Sequence, residues 1–587
     1  MKRHTRAESV GEALPSLPPD LENNKKLESP KKKPKRGRNN IIKDYLIDYT
    51  SNSNLHGLKY IGEKERTFVE KVFWIFMFTC CVVLCAGLIQ KVYIKWNESP
   101  VIVSFAENPM PVWKIPFPAV TVCFETKAQQ SKYNFTEVYH LYLNNTGNDT
   151  SGNTTELTDE EKFVFEYVSM VCDSHLSPTT GRKYGSGADA VDKLKEVCPN
   201  ITESFFGCKW ENINRDYCSD LFSPILTEEG ICYTFNTLGA EEMLRLDNLH
   251  HDYEYLQEGN PNHTTTWSLE NGYPDDTPIV TYPHRGSGYG AKAGLTFIIK
   301  ASEVDLDYLC RGPVQGFKIL LHNPAELPRL SVQYFRAPLS QEVVVSVKPK
   351  MMTTSDGLLP YSPNIRKCYF PSERYLRYFR VYTQANCEME CLSNFTYARC
   401  GCVHFGMVYG ENMTVCSAGS IQCVQNAQKE LVTVAAMSSL ERNSADNSSV
   451  IDENARDIAM RCMCMPACTS IEYEAETSQA DFDWRAIFTS FKSDIPPELD
   501  DTYMTRIFIF FKEAQFITSR RSELYGPTDF LANCGGLLGL FMGFSILSVV
   551  EILYFLSLRI ICLFWKRRAH KRVADKPMTK LEHPYID

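Results

Sequence analysis

The stretch GPTDFLANCGGLLGLFMGFSILSVVEILYFLSLRIICLFW, residues 526–565, decides how this chain is read. From residue 530 to residue 550 it holds no charged side chain, a run of 21 residues. As one α-helix that run is about 31 Å long at ~1.5 Å per residue, enough to cross a bilayer. Two features set it apart from a plain anchor. Glycines recur at Gly535, Gly536, Gly539 and Gly543, and a single carboxylate, Glu551, lies inside the apolar run. Gly539 and Gly543 are four residues apart, so one reading of them is a helix face of small residues for close packing. Glu551 is harder to dismiss. A carboxylate at the bilayer centre costs about 2.5–3.5 kcal/mol on insertion scales, so it should face protein or water. Glycines and a buried acid on one span read together as a pore wall.

The rest of the chain sets the topology. One other segment, VFWIFMFTCCVVLCAGLI at 72–89, is uncharged and apolar over 18 residues. Residues 1–40 are polar and basic with no apolar core of a secretory signal, so the first span is expected to act as the signal-anchor. The net charge of −9 hides a division. Residues 1–71 carry 16 Lys/Arg against 10 Asp/Glu and residues 559–587 carry 8 against 3, leaving 38 against 58 between them. Basic flanks outside both spans predict cytoplasmic termini. The run KKKPKR at 31–36 looks like a nuclear localisation patch, but beside two spans it reads as a solvated tail near anionic lipid, not a nucleic-acid site.

Sequons and cysteines point the same way. Asn97, Asn134, Asn144, Asn148, Asn153, Asn200, Asn262, Asn394, Asn412 and Asn447 each open an Asn-x-Ser/Thr triplet, and all lie between the spans. Of 22 cysteines, 17 run from Cys123 to Cys468, where an extracellular setting favours disulfides over zinc for Cys400-Gly-Cys402 and Cys462-Met-Cys464. Strands are expected within 114–123, where Pro116 and Pro118 are confined to the edge or start, and at 231–235, 294–300, 316–322, 343–348 and 505–511. Residues 124–230 show no clear periodicity and read as a peripheral insertion; residues 249–290 read as loop. Cys387 and Cys391 stand one helical turn apart on one face, positioned to bridge to a partner helix.

From Asn533 to Glu551 the second span, NCGGLLGLFMGFSILSVVE, resembles that of the degenerin, epithelial sodium channel and acid-sensing ion channel superfamily. Gly543-Phe544-Ser545 matches its selectivity tripeptide. His56-Gly57, 15 residues ahead of the first span, is similar to its gating dipeptide, where glycine supplies backbone freedom for a re-entrant or hinge segment. FPAVTVC at 117–123 resembles a palm strand, and the cysteine spacing over 368–468 resembles the thumb; the branch most similar is the insect pickpocket group.

The resemblance implies a two-span membrane protein with a large disulfide-rich α+β ectodomain, a hand-like palm sheet and a helical thumb, assembled as a homo- or heterotrimer of related subunits. It divides the chain into a cytoplasmic N-terminus at 1–71, a first span at 72–93, an extracellular domain at 94–526, a pore-bearing span at 527–564 and a cytoplasmic tail at 565–587. It implies disulfides Cys123–Cys232, Cys208–Cys218, Cys368–Cys468, Cys387–Cys464, Cys391–Cys462, Cys400–Cys423 and Cys402–Cys416. Cys172–Cys198 is the expected further pair, with Cys310 left over. Ala532 falls where a small side chain lets the pore helices close, beside Asn533, and Glu551 biases the inner vestibule towards cations. Acid-sensing members carry Asp at the position of Asn533 and Trp at that of Arg366. The implied activity is a sodium-selective, amiloride-sensitive plasma-membrane channel, opened by an extracellular chemical or mechanical stimulus in sensory or epithelial cells. Na+ is its permeant ion, and no cofactor or bound metal is expected.

Three other classes compete. A two-span receptor or adhesion protein explains the ectodomain but not Glu551 or the glycines, and an ATP-receptor-type trimer gives no reason for Gly-x-Ser. An ectoenzyme needs a catalytic constellation, whereas His322 and His404 read as lone structural histidines.

Overall fold

A computed structural model describes residues 38–98, 101–146, 157–178, 181–251, 253, 265–440, 457–458, 461–524 and 526–574. The basic run at 31–36 and the sequons at Asn148, Asn153, Asn262 and Asn447 lie outside these. The chain forms two compact units, one of residues Met1–Tyr93 with Thr528–Asp587 and one of Ile94–Pro527.

In the larger unit the strongest apolar alternation makes the organising strand. Gln341–Thr354 turns Val343, Val345 and Val347 inward, each fully buried, and sends Lys348 and Lys350 outward. Those lysines pair with Glu476 at 2.6 Å and Glu474 at 3.1 Å on Ser470–Asp481, which runs antiparallel to it from Gln341 to Met352. Its other edge is shared by Thr502–Phe511 and Ser519–Glu523, both parallel. The sheet continues as Leu295–Ser302, Phe205–Trp210 and Ile213–Arg215 beyond Thr502–Phe511, and as Val101–Phe105 beyond Ser519–Glu523.

A second sheet has the order Phe335–Pro338, Gly316–His322, Ala119–Phe124, Gly230–Phe235, Phe222–Thr227. Three of its strands, Ala119–Phe124, Gly230–Phe235 and Gly316–His322, are buried at every residue, because both faces are covered. One face meets the larger sheet through an aromatic core: Phe222 and Phe297 lie 5.2 Å apart, and Phe117 packs edge-on to Trp210, Phe235 and Phe511. The other packs Ile225, Leu320 and Leu330 around Cys123–Cys232.

Residues 124–230 are not peripheral throughout. Their described residues include the helices Phe135–Thr146, Asp159–Val171 and Gly187–Val197 and the single turn Ile201–Ser204, and contribute Phe205–Trp210 and Phe222–Thr227 to the two larger sheets. A register shift near Gly207 breaks the alternation there, which hides the strand from a period-two reading.

The region of 368–468 holds the helices Gln384–Cys400 and Ile421–Leu440. Cys387 and Cys391 bridge to Cys464 and Cys462; Cys462 lies in a turn and Cys464 in irregular chain, neither in a helix. The pairs Cys208–Cys218, Cys368–Cys468, Cys400–Cys423 and Cys402–Cys416 are also formed. The eighth disulfide corrects the expectation: Cys172 joins Cys310, not Cys198. The Asp173 N–H bond to Cys310 O, at 2.9 Å, holds the two segments in register, while Cys198 ends the helix Gly187–Val197 as a buried thiol pushed up to about 11 by burial.

In the smaller unit, Phe68–Glu98 is a single helix of 31 residues, longer at both ends than the uncharged run. By length and composition, it and Ile546–Lys566 are long and apolar enough to cross a membrane.

Candidate functional site

The second span is not one helix. It runs Pro527–Met542, breaks, and resumes as Ile546–Leu556 and Leu558–Ala574. The break falls on Gly543-Phe544-Ser545, and local chemistry closes both of its ends. Gly543 adopts the left-handed region at φ 64°, its N–H donating to Gly539 O at 2.9 Å, while Phe544 N–H reaches Leu538 O at 3.3 Å. On the far side Ser545 caps the next helix. Its Oγ accepts from Ser548 N–H at 3.4 Å, and Ser548 Oγ accepts from Ser545 N–H at 3.2 Å. A break inside an apolar span leaves backbone groups that lipid cannot satisfy, and these reciprocal bonds satisfy several of them internally. Because Gly543 has left the helix, Gly539 and Gly543 do not form a helical packing face.

The N-terminal segment folds against this break. Helix Arg38–Asn52 is followed by a turn in which Gly57 stands at φ 83° and opens the short helix Leu58–Gly62. At the tip His56 N–H donates to Met542 O at 3.0 Å. The imidazole occupies the space beside Gly543: a Cβ there would meet His56 Cε1 at 2.7 Å. Two residues earlier Asn54 offers its backbone N–H and Nδ2 to Glu551 Oε2, each at 3.5 Å. Glu551, half-buried on Ile546–Leu556, is therefore partnered from the N-terminal segment.

Helical spacing places Tyr45, Asp48 and Tyr49 on one face of Arg38–Asn52. Tyr45 donates its hydroxyl to Phe555 O, the Tyr49 ring meets Phe555 at 5.2 Å, and Asp48 pairs with Arg559 at 2.9 Å. Gly57 backs onto Trp74 of the first span, which stacks on Tyr60 at 4.5 Å, with Arg66 over the other ring at 4.6 Å. At the opposite end of the unit Tyr93 meets Phe530 at 6.4 Å. Of the residues singled out from sequence, His56, Gly57, Gly539, Gly543, Phe544, Ser545 and Glu551 come together at this junction. Ala532, Asn533, Gly535 and Gly536 lie apart from it, exposed on Pro527–Met542. Asn54, Tyr45, Asp48, Ser548 and Arg559 were not foreseen. Asp48 and Tyr49 share a helix face with Tyr45, a 3–4 spacing that was available as a signal.

The ectodomain places the remaining candidates. Asn97, Asn144, Asn200 and Asn412 are exposed, and Asn134 and Asn394 are half-buried. His322 is buried, with Nε2 2.9 Å from Thr121 Oγ1 and Nδ1 3.0 Å from Asn323 O; burial pulls its imidazole down to about 4. His404 is likewise lowered to about 4 by burial and accepts from Gly406 N–H at 3.2 Å. Both act as packed structural groups. Arg366 is fully buried over Phe370, donating to Cys368 O at 3.1 Å and to Glu373, so it pins the segment at the root of Cys368–Cys468. A charged cluster gathers Lys318 of the strand Gly316–His322 and Glu229, in the turn between Phe222–Thr227 and Gly230–Phe235. Burial would raise the Glu229 carboxyl, but Lys127 at 2.8 Å, Arg311 at 2.6 Å and Lys318 at 2.9 Å hold it well below the usual carboxylate range.

A unit with two long apolar helices, the second span broken at Gly543-Phe544-Ser545, and a unit of sheets and helices with eight disulfides fit one class, membrane proteins with two spans and a large disulfide-rich ectodomain. Residues 49–555 match the family described as "Amiloride-sensitive sodium channel". The chain belongs to that family. It is 30% identical over 542 residues to pickpocket protein 28 of Drosophila melanogaster, covering 90% of this chain and 81% of that one. Acid-sensing ion channel 4-B of Danio rerio is 21% identical over 86% of this chain and 75% of its own. The epithelial sodium channel subunit gamma of Neoceratodus forsteri is 22% identical over 92% and 86%.

Proposed function

We propose that this sodium channel subunit assembles with two copies of itself or of related subunits into a trimeric, amiloride-sensitive, sodium-preferring pore of the plasma membrane. Both termini lie in the cytoplasm, and an extracellular chemical or mechanical stimulus opens the pore in sensory or epithelial cells. The observation that carries this reading is the break at Gly543-Phe544-Ser545 with His56 seated against it. Two spans cannot enclose a pore, so several breaks must meet around one axis. There the carbonyl end of Pro527–Met542 supplies partial negative charge, and main-chain oxygens with the Ser545 hydroxyl replace part of an ion's hydration. Glu551 adds a carboxylate on the inner side that repels anions. Asn54, His56 and the Asp48–Arg559 pair tie the N-terminal helix to the same stretch, so a shift of either segment changes the constriction.

Voltage clamp of cells expressing the chain alone and with related subunits, across a panel of extracellular stimuli, tests the reading. A sodium-selective current blocked by amiloride supports it; surface-delivered protein that yields no current in any combination refutes conduction. Tags near residues 5 and 580 should label only in permeabilised cells, and labelling of intact cells refutes the topology.

A further inference from the structure

In the ectodomain a seam joins residues 249–251 and 253 to the segment 407–413 between Cys402 and Cys416. His250 N–H donates to Tyr409 O at 3.1 Å, Tyr253 donates its hydroxyl to Met407 O, and the Tyr253 and Tyr409 rings stand 5.1 Å apart. Three side chains with metal-ligand chemistry converge across it. The ligand atoms of His250, His251 and Glu411 all lie within 4.8 Å of one another. The two imidazoles lie side by side with centroids 4.1 Å apart and planes at 33°. His251 Nδ1 is 3.7 Å from Glu411 Oε2, and the backbone N–H of His251 holds Glu411 Oε1 at 2.9 Å, which fixes the carboxylate. A tetrahedral ion with bonds of about 2.0–2.1 Å sets its ligand atoms roughly 3.3 Å apart, so small side-chain rotations complete the set.

We propose that His250, His251 and Glu411 form an extracellular binding site for a borderline divalent transition ion, Zn2+ or Cu2+ in type, that clasps the loop to the thumb. Two imidazole nitrogens and one carboxylate oxygen suit such ions, whereas Ca2+ and Mg2+ call for more oxygen ligands. Three protein ligands leave a coordination position for water. His251 and Glu411 are exposed, so an ion reaches them from bulk solvent, and the Tyr409 ring at 5.4 Å backs His250. No linear motif announces the site, because Glu411 is 160 residues from His251.

The test reads binding alone and is independent of conduction. Purified full-length protein in detergent, stripped of metal, is titrated with Zn2+ against a chromophoric chelator. One equivalent per chain should weaken at least tenfold in His251→Gln and in Glu411→Gln, both exposed positions whose change leaves the thermal midpoint in place. Millimolar Ca2+ should not displace it, and His251→Cys should shift preference at least tenfold towards Cd2+, a softer ion. Unchanged Zn2+ stoichiometry and affinity in both Gln variants, or equal competition by Ca2+, overturns the site.

Discussion

Replacing Gly543 by alanine attacks the break at its tightest point. An L-residue held in the left-handed region costs about 1–2 kcal/mol, and Gly543 stands at φ 64°. The new Cβ would lie 2.7 Å from His56 Cε1 and 2.8 Å from its Nδ1 and Nε2, so the ring must swing away. That motion pulls on the His56 N–H bond to Met542 O, a further ~0.5–1.5 kcal/mol if lost. Together the perturbation is about 1.5–3.5 kcal/mol per subunit, a roughly 10- to 300-fold bias against this backbone. Gly543→Ala should therefore lose current, or change its sodium-over-potassium permeability ratio, at surface expression equal to the unsubstituted chain. Reversal potentials under sodium and potassium read the ratio, and surface biotinylation sets the denominator. Adding His56→Ala removes the ring and should recover part of the loss, since the steric share disappears while the backbone share stays. A Gly543→Ala channel with unaltered current and ratio refutes the argument. So does a double variant no better than the sum of its parts, because the two residues would then not be in contact during conduction.

Three more outcomes follow from other parts of the chain. Ala532→Val adds two methyl groups per subunit on the exposed face of Pro527–Met542; overpacking of about 1–3 kcal/mol where subunits converge should favour the open state. A standing inward sodium current is expected, and its absence in a variant delivered to the surface removes Ala532 from the gate. Asp48→Asn and Arg559→Gln each remove an ion pair of ~0.2–1 kcal/mol and should shift gating modestly, with the exchanged pair Asp48→Arg, Arg559→Asp restoring it; a cycle with zero coupling in dose–response measurements rejects the contact. Glu229→Gln strips three cations of a shared buried partner and should cost about 3–5 kcal/mol, read as lost surface protein. Because the folded state depresses the Glu229 carboxyl, its contribution is complete above about pH 5 and is lost as pH falls further, so thermal midpoints of Glu229→Gln should show less acid dependence in that range.

What could be read beforehand followed from how local each signal is. Strands with clean alternation or a continuous apolar run, such as 316–322 and 505–511, stand where periodicity puts them. Phe205–Trp210 did not declare itself, because a bulge near Gly207 disturbs its period. Thr158-Asp-Glu-Glu161 is a capping box that announces the helix Asp159–Val171, a signal present but unused. The break in the second span is invisible to hydropathy, since Gly, Phe and Ser all pass as membrane residues; it needs Gly543 in the left-handed region and Ser548 returning a bond to Ser545. Residues 56, 57, 543, 545 and 551 could be named from motif, but not what joins them. Asn54 and Arg559 are ordinary residues whose roles exist only once distant segments meet. The partner of Cys172 is a tertiary fact of the same kind.

The pairing of Val101–Phe105 with Ser519–Glu523 bears on the order in which the molecule comes together. Asn54 and Glu551 are separated by 497 residues, and closing a free loop of that length costs about 5–6 kcal/mol in chain entropy. The ectodomain lowers that cost in advance by about 1.7 kcal/mol. Once Val101 lies opposite Glu523, the polypeptide enters and leaves that unit side by side, and the effective loop between the two spans shrinks to a few tens of residues. The junction around His56 and Gly543 is therefore favoured once the ectodomain sheet has closed, and it needs a ribosome to have reached the end of the second span. A chain arrested or misfolded in the sheet would carry two inserted helices that meet at an entropic disadvantage of about 1.7 kcal/mol, so its junction would form less often without any defect in the pore.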